Sequence, residues 1–157
     1  MNQYVKQYQK SSIETASREQ ILIMLYDGAI QFLNKARVAM QNKEIEATND
    51  NLIKAQNIIQ EFINSMDREV APQLAENLIS LYEYFIRRLI QANMKRQLEP
   101  IDEVLKYLKS LKATWEQAII LAQKEAQESA STSSVDYYDS DDEDDDDDED
   151  EDDDDDD

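Results

Sequence analysis

One glycine and two prolines in 157 residues leave this chain almost nothing with which to build turns and hairpins. Strands need turn residues between them, and a half-buried strand alternates apolar with polar side chains. No period-two run bounded by turn residues occurs anywhere in the sequence. The folded part is therefore expected to be all helix. Pro72 and Pro100 then read as helix openers, because the first helical position needs no backbone N–H.

Apolar spacing divides the chain into four helical stretches. Ser17, with Gln20 three residues on, forms a capping box that starts the first helix at about Arg18. Ile21, Leu25, Ala29, Phe32, Ala36 and Ala39 make its core stripe, broadened by Leu22, Leu33 and Met40. It should end near Gln41-Asn42, where Asn suits a left-handed cap. The second begins near Glu44, with Ile45, Leu52, Ile59 and Met66 in heptad repeat, widened by Ile53, Ile58, Phe62 and Ile63. Pro72 opens the third, carrying Leu74, Leu78, Leu81, Phe85, Leu89 and Ala92. Pro100 opens the fourth, carrying Ile101, Val104, Leu105, Leu108, Leu111, Trp115, Ala118, Ile119 and Ala122. Short connections favour antiparallel neighbours, so the fold expected is an up-down-up-down four-helix bundle over residues 17–128. Gly28, in mid-helix, marks either a close helix crossing or a shallow spot where a ligand backbone approaches.

The run from Ile21 to Tyr26 is apolar at every position, more than one helix contact requires. Ile23, Tyr26 and Ile30 form a second stripe on the first helix, and Ile79, Tyr82, Ile86 and Ile90 a second one on the third. Either the protein's own chain or a partner must cover them. Ile23, Tyr26, Ile30, Tyr82 and Ile86 are thus the expected binding groove, partly exposed or covered only by residues 1–16. That N-terminal strap is polar apart from a few residues, among which Tyr8 and Ile13 are best placed to dock.

Charge separates the chain sharply. All 16 Lys and Arg precede Asp136, whereas 19 of the 36 acids follow from it, and every residue from Asp141 to Asp157 is acidic. Residues 129–157 are accordingly expected to be a Ser/Thr linker followed by a disordered acidic tail. With no His and no Cys, nucleophilic Ser-His or Cys-His pairs, disulfides and His-ligated metals are excluded. No Gly-rich phosphate loop occurs, so no enzyme, cofactor or metal site is expected. Scattered cations and an acidic tail argue against nucleic acid. No stretch approaches the ~18–20 apolar residues of a membrane span, and residues 1–20 lack a signal-peptide core, so a cytoplasmic location is expected.

Thr15-Ala16-Ser17, Leu22, Met24-Leu25-Tyr26-Asp27-Gly28-Ala29 and Phe32-Leu33, read with Lys54-Ala55-Gln56, Met66-Asp67, Asn77-Leu78, Leu81-Tyr82, Arg87-Arg88-Leu89, Ala92-Asn93 and Trp115-Glu116, resemble the flagellar secretion chaperones of the FliS family. The likeness runs from about Tyr4 to about Ala118 without a gap. Arg18 departs from it, standing where that family commonly has Pro, and the acidic tail lies outside its pattern. The resemblance implies a four-helix bundle that wraps the disordered C-terminal segment of flagellin, blocks premature polymerisation and delivers the subunit to the flagellar export gate. A rival reading makes the chain an acidic-tailed interaction protein whose Asp/Glu run binds basic partners. Self-association into a homo-oligomer is left open.

Overall fold

The computed structural model describes residues 17–138, with side chains up to Ser133. The expected strap, with Tyr8 and Ile13, and the acid run from Asp139 lie outside the described residues. Four helices and no strand make up the described part: α1 Arg18–Gln41, α2 Ile45–Asn64, α3 Pro72–Lys95 and α4 Glu99–Tyr138. Two compact units share them, the bundle up to Ile119 and a second unit from Ile120.

Local chemistry sets the helix ends. Ser17 Oγ accepts from the Gln20 amide at 3.2 Å and Gln20 Oε1 accepts from the Ser17 amide at 3.0 Å, the capping box expected from the sequence. Pro72 stands in the first turn of α3, and Pro100 in that of α4. The end of α1 differs from expectation. Asn42 keeps φ at −85°, and Lys43 takes the left-handed conformation at φ 59°. The amides of Lys43 and Glu44 then donate to Met40 and Ala39 carbonyls at 3.1 and 2.9 Å. That is a Schellman closure, whose left-handed residue lies one position beyond the cap. Arg96 does the same after α3, at φ 53°, with Gln97 N–H donating to Ala92 at 3.1 Å.

Pairs of residues across each interface show the helix directions. Between α1 and α2, the Tyr26 ring stacks on Phe62 with centroids 4.6 Å apart, while Phe32 lies under Lys54 Nζ at 5.6 Å. Between α2 and α3, Asn93 donates to Asn49 at 2.7 Å and Phe62 meets Tyr82 at 5.3 Å. Arg88 pairs with Glu103 and Phe85 meets Tyr107 between α3 and α4. Arg37 pairs with Asp102 and Asp27 with Lys112 between α1 and α4. In every case the number climbs on one helix as it falls on the other, which makes neighbours antiparallel.

Leu33, Ala36, Leu52, Ile59, Phe85, Leu89, Ile101 and Leu108 are wholly buried, and each large one contributes roughly 1.5–3 kcal/mol. On α1 the buried face is turned from the expected stripe. Tyr26 and Leu33 sit at full burial, whereas Ile21, Leu25 and Phe32 stay partly exposed. The alanines at 29, 36 and 39 bring the neighbouring helices close enough for Tyr26 to reach across the centre. Gly28 lies at a close crossing of α1 and α2: a Cβ there would meet Ile58 Cδ1 at 3.3 Å. Its φ is not positive, so no turn demands glycine. The atom met is the far end of the Ile58 side chain, and Ala gains about 1 kcal/mol of helix propensity over Gly. Gly28→Ala should therefore raise stability by roughly 0.5 kcal/mol, read as a small rise in melting temperature; a fall would mean that Ile58 has no room.

Helix α4 overturns the expected linker at 129–134, which is helical to Tyr138. Nothing after Pro100 breaks a helix, and extending one costs far less than starting one. The hydroxyls that favour loops turn back on the helix instead: Thr132 Oγ1 donates to the Glu128 carbonyl at 2.9 Å, and Ser133 Oγ to that of Ala130 at 3.0 Å. Every side chain from Ile120 to Ser133 is exposed.

Candidate functional site

The bundle's centre is polar at one point. Tyr26 and Tyr82 share a short hydroxyl–hydroxyl hydrogen bond, and Trp115 Nε1 donates to Tyr26 Oη at 3.0 Å. Burial pushes both phenols up, so they stay protonated and neutral. This corrects the expectation for Tyr26 and Tyr82. They are 0 % and 2 % exposed and belong to the core, because three other helices supply partners for a ring and a hydroxyl that the sequence leaves unplaced.

The other expected residues among the described ones, Ile23, Ile30 and Ile86, are partly buried and do not form one groove. Ile23 and Ile30, seven apart on α1, are half-buried along its outer flank, continued by exposed Val38. Ile30 and Val38 line an open groove of about 560 Å³ between α1 and α2, floored by Ala39 and Ala47 and rimmed by Asn34, Lys35 and Asn51. Ile86 belongs elsewhere, to the shoulder between α2 and α3. The Asn49–Asn93 hydrogen bond and the Phe62–Tyr82 contact fix the register there. Continued along both helices, that register puts Ile53 level with Ile90 and Ile63 level with Ile79, with Ile86 level with Gln56 between them. Ile53 and Ile90 are 44 % and 43 % exposed although the core beneath is complete. In this isoleucine ladder Ile63 and Ile86 pack against the core, while Ile53 and Ile90 stay open at the surface. Ile53 and Ile90 looked like mere surplus in the sequence, because only the register between two helices pairs them.

Polar contacts around these strips are structural in kind. Glu103 accepts from Tyr84 Oη at 2.5 Å and from Arg88 Nε at 2.9 Å, and these bonds hold its carboxyl below the usual range, Tyr84 most strongly. The exposed pairs Arg37–Asp102 and Lys112–Asp27, both at 2.6 Å, favour the α1–α4 register more than stability. Among the described residues no group of three or more acids is placed to hold a metal ion. No described helix is long and apolar enough to cross a membrane.

An amphipathic bundle with spare apolar strips suits binding, and comparison with known proteins points the same way. The family described as "Flagellar protein FliS" matches residues 1–123. The flagellar secretion chaperone FliS of Bacillus subtilis is 38 % identical over 122 residues, covering 78 % of this chain and 90 % of that protein. The Salmonella typhimurium chaperone of the same name is 36 % identical over 118 residues, 72 % and 87 % of the two chains. A crystal structure of a bacterial flagellar chaperone superposes with a TM-score of 0.62 at 19 % identity, covering 74 % of this chain and 95 % of that one, which supports the fold. The chain belongs to the FliS family of flagellar secretion chaperones, a family of chaperones and not of enzymes.

Proposed function

We propose that this protein is a cytoplasmic export chaperone that holds the disordered C-terminal segment of flagellin, prevents its premature polymerisation and passes it to a component of the flagellar export gate. The α2–α3 ladder carries this reading. On α3 its isoleucines fall at 79, 86 and 90, a repeat of seven and then four residues that keeps them on one helix face, where the apolar face of an amphipathic helix could lie. The α1–α2 groove offers a second strip where asparagines and a glutamine can meet the polar side of a bound chain. Ile23, Ile30 and Ile86 keep their proposed place in the client surface, joined by Val38, Ile53 and Ile90. Tyr26 and Tyr82 support it from beneath.

A client that folds on binding buries apolar surface and orders backbone together. Titrating the last forty or so residues of a flagellin into the full chain should give saturable binding with a negative heat-capacity change and a gain of helical ellipticity beyond the sum of the parts. Absence of binding would overturn the reading.

A further inference from the structure

The two left-handed cations close one end of the ladder. Lys43 leaves α1 and Arg96 leaves α3, yet both line the same pocket of about 360 Å³, whose remaining wall is Met40, Ile45 and Thr48. Each occupies a Schellman position that glycine fills without steric cost, and each is a long cationic side chain instead. Arg96 is aimed: its Nη1 donates at 3.1 Å to Asn93 Oδ1, while Asn93 Nδ2 donates to Asn49. Among the described residues neither cation meets a carboxylate in an ion pair. Ile45 and Arg96 lie just beyond Asn49 and Asn93, on the side away from Ile53 and Ile90, so the pocket ends the row of isoleucines.

We infer that this pocket receives the C-terminal residue of the bound client, with its α-carboxylate between Lys43 and Arg96. The volume falls in the ~300–1,000 Å³ range of small-ligand sites, suited to a terminal residue and too small for a passing helix. A helix lying on the ladder with its C-terminal end here also presents the negative end of its dipole to the two cations. The chain's own acid run is a poor occupant, since Glu44, Glu46 and Glu99 adjoin the same turns and repel a polyanion far more than a single carboxylate. The inference rests on the proposed client and adds the direction in which it lies.

The experiment compares two synthetic peptides of a flagellin's last forty or so residues, identical except that one ends in a free carboxylate and the other in an amide. The full chain should bind the carboxylate form roughly tenfold more tightly at low salt. In the Lys43→Gly/Arg96→Gly double variant the carboxylate peptide should fall to the affinity of the amide, with the fold at least as resistant to heat because glycine suits both positions. Lys43→Asn/Arg96→Asn, which also tolerates the left-handed region, should behave alike. Equal binding of both peptides by the parent chain overturns the pocket assignment alone. If the parent binds neither, the client reading itself falls, and the pocket assignment with it.

Discussion

Tyr26→Ala is expected to cost about 3–5 kcal/mol, enough to unfold much of the population of a domain whose whole stability is roughly 5–15 kcal/mol. The aromatic ring is wholly buried against Phe62, and its hydroxyl is the common partner of Tyr82 and Trp115. Truncation leaves a cavity and strips the Tyr82 hydroxyl and the Trp115 N–H of that partner. Tyr26→Phe isolates the second effect, for about 1–3 kcal/mol. A charged side chain at this position should abolish the fold outright, as it would at a core position and would not at a groove residue. Urea unfolding followed by far-ultraviolet circular dichroism decides: a midpoint for Tyr26→Ala near that of the parent would place the ring outside the core.

Ile53→Asp/Ile90→Asp should have the opposite signature, a bundle that melts almost as the parent does and a client that no longer binds. Both side chains are near half exposure and absent from the fully buried set, so the expected loss of stability is about 1 kcal/mol or less. Covering each isoleucine with a client is worth up to ~1.5–3 kcal/mol, and burying an unpaired carboxylate in its place adds a penalty. Affinity for the flagellin segment should therefore drop about a hundredfold or more. Calorimetric titration alongside a melting curve separates the outcomes: unchanged affinity would remove the ladder from the client site, and unfolding would make it ordinary core.

Helix number, the capping box at Ser17, the proline-opened third and fourth helices and the antiparallel order were all legible, because each depends on neighbours within a few residues. What escaped is what two or more helices decide together. Tyr26 and Tyr82 read as surplus because nothing in their own helices reveals a hydroxyl partner 56 residues away. Ile53 and Ile90 were visible as extra apolar residues, but a register set by Asn49 and Asn93 makes them a pair. The hydroxyl-rich stretch after Glu128 misled for the reverse reason, since composition signals a loop while the helix upstream of it sets the local outcome.

Trp115 is the sole tryptophan, and its indole N–H is tied to the Tyr26 hydroxyl four residues before the bundle unit ends. Excited at the red edge of its absorption, where the eight tyrosines scarcely absorb, the chain thus emits from one address, the seam where α4 meets α1. An emission maximum that moves red while ellipticity holds would mark α4 lifting from that seam, and simultaneous change in both would mark loss of the whole bundle. The protein carries its own optical gauge of which event comes first.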